Sequence, residues 1–292
     1  MRAWLSAVIS RVKARLRAAS HARTLQRRAI SDALWQSTLA DLPFLQALPA
    51  ADLHRLRHLV SLFLDHKEFS GAHDWEVTDA QAVMVATQAC LPILYIAPPD
   101  RPDLALRWYD GFVGIVLHAG EVRARRMETD EAGVVHSWQE DLTGEVVQGG
   151  PLMLAWSDVA AAGASANESY NVVIHEFIHV MDMQDGSPDG CPPMPLEARR
   201  AWLATMQAQY DAFCEQLQQW ERFGSLAVSL SSSGQSTPMQ EPLLDSYGTT
   251  SIDEFFAVAA EAYFVRRADF ASAYPELLAL FDRFFIGGNR SV

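Results

Sequence analysis

The chain has 292 residues, enough for one large domain or two modest ones, and its 49% hydrophobic and 20% charged content is that of an ordinary globular protein. A formal net charge of −13 sets it against direct nucleic-acid binding, because phosphate repulsion would have to be overcome by a local basic patch. No apolar run is long enough to span a membrane, and Cys90, Cys191 and Cys214 form no metal-spacing motif, so a reducing, cytoplasmic compartment is expected.

In chain order, the first feature is basic. Arg2, Arg11, Lys13, Arg15, Arg17, Arg23, Arg27 and Arg28 all precede the first acidic residue, Asp32. Trp4, Leu5, Val8, Ile9, Val12 and Leu16 fall at helical spacing, so residues 1–28 read either as a basic amphipathic helix in weak contact with a membrane surface or as a solvated leader. We read residues 1–30 as a basic tail and 31–292 as one domain. From Asp32 to Asp65 leucines recur every three or four residues, interrupted by Pro43 and Pro49. Thr78 and Gln81 form a capping-box pattern that starts a helix, and Pro92 should end it.

The period then changes. "FVGIVLHAG", "GVVHSWQ" and "GPLMLAWS" are short, rich in Val, Ile, Leu and Trp, and bounded by Gly, Pro and Asp, as strands of a small sheet are. "RPDLALRWYDG" and "METDEAG" look turn-like. Helical periodicity returns from Ser169 through Met183 and from Leu196 to Phe223. The serine-rich run 229–241 is expected to be a surface loop, and helices follow at Ser251–Arg267 and Pro275–Phe285. Helices, a small sheet, then more helices predict an α+β fold that is mainly α.

Within "VVIHEFIHVM", two histidines and a glutamate stand among residues otherwise as apolar as a core helix. Burying ionisable groups without partners is costly, so a partner is needed. His175-Glu176-Phe177-Ile178-His179 matches HExxH. One helical turn puts both imidazoles on one face to share a Zn²⁺, with Glu176 aimed toward the site of catalysis as a proton acceptor.

A catalytic zinc also needs a third protein ligand. Asp182, Asp185, Asp253, Glu254 and Glu261 are downstream candidates. Asp182, one turn after His179, is expected either to hydrogen-bond an imidazole or to be an exposed helix-end charge. "SIDEFFAVAAEAYF" is the better source, since Glu254 and Glu261 lie seven apart on one face of an apolar helix. Yet Ser251 and Glu254 also form a capping-box pattern, and Glu261 also suits a salt bridge to Arg266 or Arg267. Spacing does not choose between them.

"HEFIHVMDMQDG" from His175, "DSYGTTSIDEFFAVAAEAYF" from Asp245, "TQACLPIL" from Thr87 and "GGPLMLAWSDV" from Gly149, with "LFLDHKEFSG" and "YPELLALFDRFF", resemble the Mlc titration factor A family of zinc peptidases. The catalytic core of that family is similar to the anthrax lethal factor protease domain. The resemblance covers roughly residues 35–285. It implies a zincin-like fold of the gluzincin type, with a small sheet packed against the HExxH helix. It also implies one Zn²⁺ held by His175, His179 and Glu254, Glu176 as general base, and Tyr247 as the group that stabilises the transition state. The implied activity is hydrolysis of a peptide or protein substrate, of aminopeptidase type; members of that family also bind a transcription repressor, Mlc, a partner for which no binding motif is read in this sequence. The serine-rich run before Asp245 is longer than the family pattern, and the basic N-terminus has no clear counterpart in it. The contrasting expectation is a non-catalytic regulator that sequesters a repressor and keeps a structural or vestigial zinc site. The strand "PLMLAWS" is expected to offer its edge to an extended peptide.

Overall fold

In a computed structural model, residues 18–73, 75–120, 122–129, 135–142, 144–146, 150–231 and 241–287 are described. Positions 1–17, which carry most of the expected amphipathic pattern, and 232–240 of the serine-rich run lie outside them. Residues 18–27 are helical. This end of the basic stretch docks on the body: Arg27 donates to both oxygens of Asp65 at 2.6 and 2.8 Å, and Thr24 Oγ1 donates to Asp65 Oδ2 at 3.3 Å.

Helix α1 spans Asp32–Asp41, capped by Ser31, whose hydroxyl accepts the Leu34 N–H. A 3-10 turn at Pro43–Ala47 leads to α2, Ala50–His66. The two prolines interrupt the leucine pattern where the sequence placed the breaks, because neither can donate to the preceding turn. Helix α3, Asp79–Cys90, begins with the Thr78 and Gln81 capping box fully formed. The stretch 101–111 departs from the turn-like expectation. Pro102 starts a short helix α4, Pro102–Leu106, and a 3-10 turn follows at Arg107–Tyr109. Proline's fixed φ suits a first helical position, and burial of Ala105, Leu106 and Tyr109 supplies the packing that local composition does not show.

Among the described residues, six strands form two sheets. Strands β1 (Glu68–Gly71), β2 (Gly114–His118) and β6 (Leu152–Ala155) run parallel in the order β1-β2-β6, in register Phe69 with Ile115 and Leu117 with Leu154. Strand β5 (Gly144–Val146) pairs antiparallel with β6. A separate hairpin joins β3 (Val122–Thr129) to β4 (Val135–Leu142). Strands β1, β3 and β5 were not read from sequence: β1 and β5 are too short to show a period, and "VRARRMET" lacks apolar alternation. Part of "METDEAG", 127–129, belongs to β3 rather than to a turn. Strand β6 lies between β2 and β5, so its edge is already paired and is not open to a peptide.

Helix α5 (Trp156–Ser165) follows β6 directly. Gly163 lets it touch the end of α1, where a Cβ would stand 2.2 Å from the Asp41 carbonyl oxygen. Helix α6 (Val172–Asp182) is central, and α7 (Leu196–Ser231) runs beyond the expected Phe223, so 229–231 are helical rather than loop. Helices α8 (Ile252–Val265), α9 (Arg267–Ala273) and α10 (Pro275–Phe281) close the chain, with a π turn over Asp282–Ile286 in place of the last turn of the expected helix. The architecture is α+β and mainly helical, and of the three middle segments expected to share one small sheet, β2 and β6 lie in the parallel sheet whereas β4 lies in the separate hairpin.

The core centres on α6. Phe177 meets the rings of Tyr109, Phe63 and Phe112 at 4.7, 5.7 and 5.8 Å. Lys67 donates its ammonium to the carbonyls of Tyr109 and Phe112, pinning that turn beneath the helix. Val172, Val173, Ile174, Phe177, Ile178 and Met181 are all buried, each side chain contributing about 1.5–3 kcal/mol of transfer free energy. A helix so anchored holds its polar residues in a fixed orientation.

Candidate metal centre

Helix α6 starts at Asn171, whose side-chain oxygen accepts the Ile174 N–H at 3.0 Å while its amide nitrogen donates to Gln88 Oε1 of α3 at 2.8 Å. One turn in, His175 and His179 project together, their ring centroids 4.7 Å apart. From α8 comes Glu254. Three ligand atoms form a near-equilateral triangle: His175 Nε2 to His179 Nε2 3.1 Å, His175 Nε2 to Glu254 Oε2 3.1 Å, and His179 Nε2 to Glu254 Oε2 3.2 Å. Among the described residues this is the group of three suited to a metal ion.

The chemistry of the donors tests whether a metal fits. Glu261 Oε1 lies 2.7 Å from His175 Nδ1, and Glu261 Oε2 accepts the Asn171 backbone N–H. With both oxygens accepting, Nδ1 carries the proton and Nε2 turns its lone pair into the triangle. Three electron-rich atoms about 3 Å apart repel unless a cation, or shared protons in its place, sit among them. Their spacing matches that of ligands sharing one ion at bond lengths of about 2.0–2.2 Å. The residues fit a divalent metal.

Electrostatics follow the same geometry. Burial would raise the Glu254 carboxyl, but hydrogen bonds from His175 and His179 outweigh it and hold the group well below the usual carboxylate range. Burial would lower His175, but Glu254 and Glu261 outweigh it and raise the imidazole well above its ordinary value. Glu176, next to His175 on the same helix and 5% exposed, is pushed up by burial against the pull of both imidazoles. A raised carboxyl exchanges a proton with water more readily near neutral pH than an ordinary one.

Tyr247 sits on a 3-10 turn, Ser246–Thr249, capped by Asp245, which accepts the Tyr247 N–H at 2.8 Å. Its hydroxyl donates to Glu254 Oε1 at 3.3 Å, and half of the side chain is exposed. A cleft of about 980 Å³ opens beside Asp245 and Ser246, walled by Asn167, Trp220, Leu243 and Tyr274.

The structure thus brings His175, His179, Glu254 and Tyr247 together, with Glu176 beside them on α6. It also gives the competing carboxylates different partners. Ser251 makes no side-chain cap, so Glu254 is not in a capping box. Arg266 pairs with Asp269 and Arg267 with Asp282, leaving Glu261 to His175. Asp185 pairs with Arg199, and Asp253 is not part of the triangle. Asp182 is neither an imidazole partner nor an exposed charge. Fully buried, it accepts the backbone N–H groups of Gly190 and Cys191 at 2.9 and 2.7 Å, and burial pushes its carboxyl up to about 6 despite those bonds. Sequence reasoning missed Asn171, although an Asn just before the apolar run is an N-cap signal. It also missed Gln88, for which no local signal exists.

The family model for the glucose-regulated metallo-peptidase M90 matches residues 16–286. Among curated proteins, the chain is 28% identical over 256 residues to Mlc titration factor A of Salmonella arizonae, covering 87% of this chain and 91% of that protein. It is 27% identical over 252 residues to Mlc titration factor A of Escherichia fergusonii and 26% identical to that of Klebsiella pneumoniae, covering in each case 86% of this chain and 84% of the relative. With its His-His-Glu triangle and a family match that runs through nearly all of its length, the chain belongs to the glucose-regulated metallo-peptidase M90 family.

Proposed function

We propose that the protein is a zinc-dependent peptidase of the gluzincin type with a zincin-like fold. In this reading residues 31–292 form the catalytic domain, 1–30 are a basic tail that makes weak contact with a membrane surface through residues 1–28, and the protein works in the cytoplasm. The observation that carries the proposal is the triangle of His175 Nε2, His179 Nε2 and Glu254 Oε2, 3.1–3.2 Å on each side, with the buried Glu176 on the same helix.

His175, His179 and Glu254 would hold the ion, which when bound supplies Lewis acidity toward water and a peptide carbonyl. Glu176 accepts the proton of the attacking water and passes it to the departing amine, restoring its carboxylate. Tyr247 donates a hydrogen bond to the oxyanion that develops on the carbonyl, a stabilisation of about 2.7–4 kcal/mol in comparable sites. Glu261 keeps the His175 tautomer correct throughout.

The test is elemental analysis beside a panel of peptide reporters, including free-amine substrates for aminopeptidase action. Wild type is expected to carry one zinc per chain and to lose hydrolysis with chelator. Glu176→Gln should keep the zinc and lose about 10²–10⁴-fold in kcat. A wild-type chain that binds no metal overturns the proposal.

The relatives bear the name Mlc titration factor A, and on that name we extend the proposal to a transcription repressor of the Mlc kind as a partner. A hydrolysis-dead Glu176→Gln chain that still retains such a repressor in a pull-down separates binding from catalysis. If all biological effect resides in that binding, the reading becomes a regulator with a structural zinc.

A further inference from the structure

We propose that Asp182 is a positioning residue for Glu254, acting through the loop that passes Gly190. The inference rests on the metal-site reading above and explains how two separate helices hold three ligand atoms to within about 0.1 Å of equal spacing.

Asp182 ends the helix that carries His175 and His179. A carboxylate with no exposure is costly unless satisfied, and each of its oxygens takes one backbone N–H, from Gly190 and from Cys191. The loop is fastened on its other side as well. The Gly190 carbonyl accepts the Trp202 indole N–H at 2.6 Å, and Arg199 pairs with Asp189 and Asp185.

What this fastened loop touches is the start of α8. Gly190 has φ +70°, a left-handed conformation that favours glycine, and a Cβ there would stand 2.8 Å from the Ile252 carbonyl oxygen. Ile252 is the first residue of α8, two before Glu254. Trp202, besides bonding Gly190, packs edge-on against Phe256 of the same helix at 5.4 Å. A continuous path of contacts therefore runs from the end of the histidine helix, through a carboxylate and a glycine backbone, to the first turn of the glutamate helix. It sets the distance between the two at the end where the metal is held. Glu261 performs the matching task two turns further along α8, through His175 itself.

Three full-length variants test this. Asp182→Asn turns an amide NH₂ toward a backbone N–H and breaks one of the two bonds. Gly190→Ala forces Ile252 away, and Trp202→Phe removes the indole donor while keeping a ring. Zinc affinity is read by competition with a chromophoric chelator, and thermal stability is read on the metal-free proteins. Leu56→Ala, a buried change in α2, is the control for general loss of stability.

Asp182→Asn and Gly190→Ala are expected to bind zinc about 10–100-fold more weakly than wild type, with Trp202→Phe between them and wild type. Leu56→Ala should lower the melting temperature and leave zinc affinity unchanged. If the loop variants melt earlier yet bind zinc as wild type does, Asp182 is merely a structural residue and the inference is wrong while the metal site stands. If Asp182→Asn does not fold, the other two decide. A wild type without zinc affinity removes the metal-site reading and this inference with it.

Discussion

Glu261 Oε1 stands 2.7 Å from His175 Nδ1, on the side of the imidazole opposite the Nε2 that faces Glu254 and His179. One histidine thus ties a buried carboxylate to the centre of the site. Glu261→Gln keeps the shape, but its amide can rotate to donate toward Nδ1 and favour the tautomer that turns an N–H inward. Zinc affinity is expected to fall about 10–100-fold, read by chelator competition. An unchanged affinity would mean that the ring is oriented by packing alone.

Tyr247→Phe deletes one hydroxyl at a half-exposed position and leaves the triangle intact. Loss of an oxyanion donor is expected to reduce kcat by about 10²–10³, with zinc content and KM close to wild type. A rise in KM at constant kcat would instead assign the hydroxyl to ground-state binding.

The docking of residues 18–28 should loosen in acid. Burial raises the Asp65 carboxyl, but the hydrogen bond and charge of Arg27, with Thr24 and Arg28, outweigh it and lower the group from its ordinary 3.8. A carboxyl lowered on folding stabilises the docked state above its unfolded value, and that stabilisation disappears as pH falls through the folded value. The pair is largely exposed on the arginine side, so its worth is at most about 1 kcal/mol and is reduced by salt. Protection factors over 18–28, exchange rates taken relative to the intrinsic rate at each pH, should fall below that range, and Asp65→Asn should lower them already at neutral pH. Equal exchange in the variant would assign the docking to apolar contacts.

Phe177 carries the packing that orients α6, with no exposure and three aromatic neighbours. Phe177→Ala is expected to cost about 3–5 kcal/mol in denaturant unfolding, measured with metal removed so that binding does not mask the loss. A cost under about 1 kcal/mol would show that the core collapses around the gap.

The parts legible in the sequence were those with local causes. Thr78 with Gln81, Pro43 and Pro49 act within one turn of themselves, and each does in the structure what its chemistry predicts. The HExxH pattern is equally local, because four residues always bring His175 and His179 to one face of a helix. The short strands β1 and β5 and the Pro102 helix escaped notice for the opposite reason. Their stability comes from neighbours distant in sequence, and three to five residues are too few to display a period. Asp182 shows the limit most plainly, since its partners are backbone N–H groups eight and nine residues on, which no side-chain pattern announces.

Sequence alone determined that an apolar helix carries two histidines and a glutamate, and that a second helix offers two carboxylates seven residues apart. Which carboxylate goes where was decided only by how α6 and α8 pack together. Glu254, at the start of α8, reaches the Nε2 side of the histidines, whereas Glu261, two turns later, reaches Nδ1 of His175. Both side chains lie on one face of their helix, so periodicity treats them alike. The contacts between the two helices do not.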